Sequence, residues 1–151
     1  MKTKTILLGV VLTAAVVVLS GCSWLRTMDD TERANAFIET ANASPRDYEE
    51  MQSHWSSNAT NYENMVTSTF WDSTVFADGE QPFAISGLTE GTELAEFPGV
   101  TTLEGTVTSD VQQSEVPITF GFVPSETNPL DRVIRVIIIG EPLPDTIQNI
   151  R

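Results

Sequence analysis

The side chains that could do chemistry in this chain are few. Cys22 is the only cysteine and His54 the only histidine among 151 residues. One of each cannot complete a structural zinc site. A Ser-His-Asp triad needs a histidine beside an activated serine, and the sequence contains no GxSxG motif. The residue types therefore predict no metal site, no cofactor and no hydrolytic triad.

Two weak acid–base candidates remain. His54 lies one helical turn after Glu50 on a predicted helix, and such a pair is usually a surface hydrogen bond. Asp72 alternates with Phe70, so its carboxylate could face inward as a base. Solvent exposure is the commoner position for such a carboxylate. Neither residue matches a catalytic motif. The sequence therefore favours a binding function over catalysis.

The segment before Cys22 has the three parts of an export signal. Two lysines supply positive charge, residues 6–19 form an uncharged run, and two small residues follow. This run of 14 residues is shorter than the roughly 20 residues that cross a bilayer as a helix. We predict that residues 1–21 are a cleaved signal peptide. An ordinary secretory signal and a short membrane helix are the alternatives.

The residues Leu19-Ser20-Gly21-Cys22 resemble the lipobox of bacterial lipoproteins. The resemblance implies cleavage between Gly21 and Cys22, a diacylglyceryl group on the cysteine sulfur and an acylated new amino terminus. Two or more acyl chains anchor stably, because each buried CH₂ contributes about 0.8 kcal/mol. The implied location is the cell envelope. In a Gram-negative cell it is the outer membrane facing the periplasm, since Ser23 rather than aspartate follows the cysteine.

The rest of the chain is predicted to be one acidic domain. Residues 22–28 form a lipidated tether, residues 29–140 the domain, and residues 141–151 a proline-containing tail. Without the two lysines of the signal, six arginines oppose 21 acids, a formal charge of −15. Such a surface repels phosphate backbones, so nucleic acid is excluded as a partner.

Periodicity predicts helices first and strands afterwards. A capping-box start at Asp29 and an apolar stripe predict a helix that ends at Asn42, and Ser44-Pro45 is predicted to start a second. Strands are predicted from residue 70 onward: a hairpin of residues 70–77 and 82–86 across Asp78-Gly79, a threonine-rich strand at residues 100–110, an alternating strand from Val116 to Phe122, and residues 132–139. The order predicts an α+β fold with N-terminal helices packed on one face of a curved antiparallel sheet. A small β-sandwich with a helical lead-in is the alternative.

Two stretches resemble the SnoaL-like superfamily, the cone-shaped fold shared with nuclear transport factor two and ketosteroid isomerase. FIETANASPRDYEEMQSHWSSNATNY is similar to its opening helices, and LEGTVTSDVQQSEVPITFGFVPSETNPLDRVIRVIII to its last three strands. The resemblance implies a pocket between helices and sheet. The candidates for its lining are aromatic: Phe37, Tyr48, Trp55, Phe70, Phe76, Phe120 and Phe122.

The same aromatic residues could simply fill the core, which is the commoner role at helix and strand spacing. The isomerases of the superfamily use an aspartate base with a tyrosine donor, and its dehydratases use a His/Asp pair. The sequence therefore predicts a membrane-anchored lipoprotein with a small non-catalytic domain that binds an apolar ligand or an envelope protein. The alternatives are a small isomerase or dehydratase that uses Asp72, Tyr48 or His54, and a purely structural envelope role.

Overall fold

The computed structural model describes residues 27–111 and 115–140. The predicted signal peptide with Gly21, the predicted lipidation site Cys22 and the tail 141–151 lie outside these residues. Within them the chain is α+β, with helices followed by an open four-stranded antiparallel sheet in the order β1-β2-β3-β4. No helix in the described ranges has the length and apolar character needed to cross a bilayer.

The first helix, α1 (Asp30–Asn42), has the predicted capping box. The Asp29 carboxylate accepts from the Glu32 backbone N–H at 2.8 Å, and the Glu32 side chain accepts from the Asp29 N–H. Both bonds satisfy backbone donors that the first helical turn leaves free. The apolar stripe of the helix is buried, with Phe37 fully enclosed. The predicted start and end of this helix are confirmed.

The second helix, α2 (Tyr48–Ser53), begins later than Ser44-Pro45 suggested. Its N-cap is Asp47, whose carboxylate accepts from the backbone N–H groups of Glu49 and Glu50, both at 3.0 Å. Aspartate is as strong an N-cap as serine. The prediction of a helix here is confirmed, and the predicted Ser44 cap is wrong.

The predicted strand at residues 70–77 is wrong, because this region is a series of short helical turns. It contains a 3₁₀ turn at Tyr62–Asn64, α3 (Ser68–Asp72) and a 3₁₀ turn at Asp78–Glu80. Local hydrogen bonds hold the turns: Trp71 Nε1 donates to the Met65 carbonyl at 2.6 Å. Aromatic residues favour strands only where a pleated surface packs them, and here they pack around Phe37 instead.

The sheet consists of β1 (Phe83–Glu90), β2 (Thr101–Ser109), β3 (Val116–Pro124) and β4 (Arg132–Ile139). The last three strands are confirmed close to their predicted bounds. Inward side chains face each other across the strands, so that Phe120 lies opposite Leu103 and Ile137. The ladder of β3 and β4 is irregular near Gly121, where two residues of one strand oppose one of the other and the strand bends.

The hydrophobic core lies between α1 and one face of this sheet. The other face is partly covered by residues 91–100, which connect β1 to β2. The Thr102 hydroxyl donates to the Thr92 carbonyl at 2.9 Å. A Cβ on Gly121 would lie 2.7 Å from a methyl group of Val100, so only glycine permits this close approach.

Each edge of the sheet is paired over part of its length. On β1, the Asn42 side chain accepts from the Phe83 N–H at 2.7 Å and donates to its carbonyl at 2.9 Å. On β4, Ile134 donates to the His54 carbonyl at 2.9 Å and accepts from the Ser56 N–H at 2.8 Å. Covering an edge in this way blocks its pairing with other chains.

Candidate functional site

Four of the seven aromatic residues proposed as a pocket lining fill the core instead. Phe37, Phe76, Phe120 and Phe122 are each 3% exposed or less. Their rings pack in two pairs: the centroids of Phe37 and Phe76 lie 5.1 Å apart at a near-perpendicular angle, and those of Phe120 and Phe122 lie 6.0 Å apart. Edge-to-face packing of this kind is favourable. In this part of the domain the aromatic side chains occupy the space that a ligand pocket would need.

Trp55 and Phe70 do line a concave surface, at the other half of the β4 edge. It is an open hollow of about 200 Å³, lined by Trp55, Thr60, Met65, Phe70, Phe97, Arg135, Val136 and Ile137. The lining is mostly apolar, and the guanidinium of Arg135 lies 6.0 Å from the centre of the Phe97 ring. Arg135 also donates to the Asn58 carbonyl. This hollow unites two of the predicted lining residues with side chains that the sequence did not single out.

The backbone beside this hollow is a strand edge that has no partner among residues 27–111 and 115–140. Gly140 donates to the Pro117 carbonyl at 2.8 Å, so its backbone groups face β3. Backbone direction alternates along an antiparallel strand, and the register therefore turns the N–H and C=O groups of Ile137 and Ile139 away from β3. No group within residues 27–111 and 115–140 hydrogen-bonds to them.

Trp55, which lines the hollow, carries an unusual polar atom. Its indole Nε1 is buried and has no hydrogen-bond partner among the residues that the structure describes. A buried donor without a partner costs about 1–3 kcal/mol. Such groups are rare in native structures, and this one lies on a residue whose neighbours bond to the β4 edge.

His54 is buried at the end of α2 and has a partner on each ring nitrogen. The Thr40 hydroxyl donates to the Ala36 carbonyl at 3.0 Å, so its oxygen accepts the Nε2–H of His54 at 2.9 Å. Nδ1 is then the acceptor and receives an N–H from Arg33 at 3.2 Å. The neutral ring with its proton on Nε2 satisfies both contacts.

The ionisation of His54 follows from this position. Burial, together with the positive charge of Arg33, lowers the pKa of His54 to about 4, while the carboxylate of Asp131 opposes the shift. Arg33 itself donates to both oxygens of Asp131 at 2.8 Å and to the Arg132 carbonyl at 2.6 Å. His54 is thus a neutral component of a buried network that ties α1 to the start of β4.

The other two acid–base candidates, Tyr48 and Asp72, have different surroundings from His54. The Tyr48 hydroxyl donates to Asp78 at 2.8 Å, and burial and this bond raise the pKa of the phenol above its usual value. Asp78 also pairs with Arg46, whose buried guanidinium donates to the carbonyls of Ala41 and Phe76. Asp72 lies exposed at the end of α3. The charge of Asp72 also raises the pKa of Tyr48, as the smallest of its causes, whereas His54 is bonded to Arg33 and Thr40 and shares no hydrogen-bond partner with Tyr48 or Asp72 among the described residues.

A second depression is larger and acidic. An open cleft of about 520 Å³ is lined by Asp30, Glu90, Gly91, Glu93, Gly99, Val100, Thr101, Thr102 and Leu103. The Asp30 carboxylate is already engaged by Arg132 at 2.8 Å. Within the described ranges, no cluster of three or more histidine, cysteine or acidic side chains has the arrangement of a metal site.

Sequence reasoning missed the arginines, which organise the polar interior. Arg33, Arg46 and Arg132 each form an ion pair and donate to backbone carbonyls. A signal for them existed, since they are among only eight basic residues in a chain with 21 acids. Their partners lie up to 102 residues away along the chain, and spacing alone does not reveal such pairs.

Comparison of the chain with protein-family models, with curated proteins and with solved structures gives no match.

Proposed function

We propose that this chain is a lipid-anchored protein of the bacterial cell envelope, whose domain binds an extended segment of a protein partner along the open half of β4. The observation that carries the binding function is the backbone of Ile137 and Ile139, which no described residue pairs, beside the apolar hollow at Trp55 and Phe70. An added strand gains backbone hydrogen bonds at such an edge, and an adjacent hollow can select one of its side chains.

The anchor is supported by the sequence around Cys22. A charged start, a 14-residue apolar run and the Leu19-Ser20-Gly21-Cys22 pattern occur in the right order. The chain has no second cysteine with which Cys22 could form an intramolecular disulfide. The described domain starts at Thr27, a few residues later. A domain so close to its anchor would be held at the membrane surface.

The binding function is favoured over catalysis by the roles of the candidate residues. His54 is neutral, buried and bonded at both nitrogens, and Tyr48 donates to Asp78. A general base must reach a substrate proton, whereas these groups are directed at the protein itself. The order of helices followed by a sheet supports a SnoaL-like cone. Because aromatic side chains fill the interior of this domain, a partner-binding role within that superfamily is favoured over an enzymatic one.

The charge of the domain favours a basic partner segment. Of the 21 acids, 19 lie in the described residues, together with four arginines. Three of these arginines are held in internal ion pairs, and Arg135 contacts Asn58 and Phe97. An acidic surface attracts a cationic segment and speeds its association.

The proposal is tested by photo-crosslinking in living cells. A photoreactive side chain at Ile139 should yield an adduct with an envelope protein, because Ile139 lies on the open edge and is 37% exposed. The matched control carries the same group at Ala84, which is exposed on β1 beside the Asn42-capped Phe83, and should give no such adduct.

A second variant makes the result specific to strand addition. Ile137→Pro removes one outward N–H and should abolish the adduct formed at Ile139, while Ile137→Val should retain it. Circular dichroism would verify that both variants are folded. Equal adducts from Ile139 and Ala84, or an adduct that persists in folded Ile137→Pro, would contradict strand addition.

A further inference from the structure

The end of the domain that carries the tether also presents its most exposed large apolar side chain. Leu130 is 79% exposed, more than any other large hydrophobic residue in the described ranges. It lies in the connection between β3 and β4, directly before Asp131. From this placement, and resting on the proposed lipid anchor, we infer that Leu130 inserts into the lipid surface and fixes the orientation of the domain on the membrane.

The path of the chain places Leu130 near the anchor. The Met28 N–H donates to the Asp131 carboxylate at 2.8 Å, and the Arg132 N–H donates to the Met28 carbonyl at 3.1 Å. Residue 28 is therefore fixed beside the β3–β4 connection. Met28 is only the sixth residue after Cys22, and six extended residues reach at most about 20 Å. A lipid on Cys22 would keep this end of the sheet close to the headgroups.

Hydrogen bonds within the β3–β4 connection hold the backbone of Leu130 in place. The Asn128 side chain accepts from the Leu130 N–H at 3.2 Å, and its carbonyl accepts from the Asp131 N–H at 2.9 Å. Asparagine stabilises turns by such bonds to its own backbone. Ser125 donates to the Asp131 carbonyl at 2.9 Å and closes the connection.

The energetics fit a contact that acts only with the anchor. Burial of one leucine side chain contributes about 1.5–3 kcal/mol, too little to hold a protein on a membrane alone. A short tether raises the local concentration of the membrane surface and makes such a weak contact effective. Trp24 and Leu25 lie within the same six-residue stretch of sequence, and tryptophan favours the membrane interface.

The opposite end of the sheet offers a matched control. Val111 is 64% exposed and follows β2. The nine residues of β3 separate its end of the sheet from Leu130, a span of about 27 Å at strand rise. An anchor beside Met28 should therefore leave Val111 in water.

The test uses the full lipidated chain in phosphatidylcholine vesicles. Leu130→Cys and Val111→Cys each supply one thiol for a nitroxide, because a lipidated Cys22 is a thioether and does not react. For the label at position 130, we expect vesicle binding to lower collision with a water-soluble nickel chelate severalfold and to raise collision with oxygen. For the label at position 111, we expect no change from the unbound Cys22→Ser protein.

Two outcomes would overturn the inference, and they are distinguishable. If vesicle-bound protein leaves the label at position 130 as accessible to nickel as the label at 111, the anchor stands and the orientation is wrong. If the unsubstituted chain itself reacts with the thiol reagent, Cys22 is free, and the proposed anchor fails together with the inference that depends on it.

Discussion

Both ring nitrogens of His54 are committed to neighbours within the domain, Nδ1 to Arg33 and Nε2 to Thr40. The type of the residue suggested chemistry, and the sequence placed it on a helix beside aromatic residues. It could not supply the partners, because Arg33 is 21 residues away and the Asp131 that holds Arg33 is 98 residues further along the chain. Such contacts depend on how α1 crosses the sheet, which no local pattern specifies.

The lowered pKa of His54 predicts a pH-dependent stability. In the unfolded chain the ring has its ordinary pKa of 6.5, and in the folded protein the value is about 4. Between these values the unfolded state binds the extra proton, so stability is complete above pH 6.5 and falls as the pH drops toward 4. The loss is about 3 kcal/mol if the whole shift is realised. Urea unfolding across this range measures it.

The variant His54→Gln provides the control, since glutamine can donate and accept but does not titrate. Its stability should fall less between pH 6.5 and 4 than that of the unsubstituted protein. Carboxylates such as Asp131 titrate in both proteins, and the difference between the two curves isolates the histidine. Parallel curves for the two proteins would contradict a neutral, buried His54.

At the scale of elements, the predictions succeeded where a sequence pattern is compatible with only one type of secondary structure. Clean alternation in Val116–Pro124 and the apolar run of Arg132–Ile139 specified β3 and β4. Residues 70–77 carried aromatic and β-branched side chains that a strand or a core-facing turn can bury equally well. Their conformation was decided by Phe37, against which Trp71 and Phe76 pack, so a local reading could not identify it.

The position of the α2 cap yields a prediction at this scale. Asp47→Ala removes the acceptor of the Glu49 and Glu50 N–H groups and should lower the free energy of unfolding by about 1 kcal/mol. Ser44→Ala should change it by less than about 0.5 kcal/mol, because Ser44 is exposed and is not the cap. Urea titration of both variants measures the difference. A larger loss of stability for Ser44→Ala than for Asp47→Ala would indicate that Ser44 caps α2, as the sequence predicted.

At the scale of the whole molecule, the main feature is a large excess of negative charge. Four arginines oppose 19 acids in the described residues, and like charges at this density destabilise the compact state by mutual repulsion. Composition alone foretold this property, and it needed no knowledge of the fold. The location of the open β4 edge did need the fold, because among the described residues the same strand is paired at Ile134 and has no partner at Ile137 and Ile139.

Added salt should therefore stabilise the domain at pH 7. Raising NaCl from about 10 mM to about 1 M shortens the screening length from about 30 Å to about 3 Å. The urea midpoint should rise while the slope of the transition stays unchanged. The variant Glu39→Gln/Asp72→Asn removes two exposed charges and should show a smaller rise. A midpoint that falls with salt would mean that the ion pairs of the arginines outweigh the repulsion.

The central claim, that lipid on Cys22 locates this domain, is tested most directly by the intact mass of the native protein extracted from membranes. The account predicts a chain that begins at Cys22 and carries a diacylglyceryl group, with or without a further acyl chain. It also predicts that Cys22→Ser removes the acyl mass and releases the protein from the membrane. A native chain that begins at any other residue, or that begins at Cys22 without acyl mass, would contradict the account.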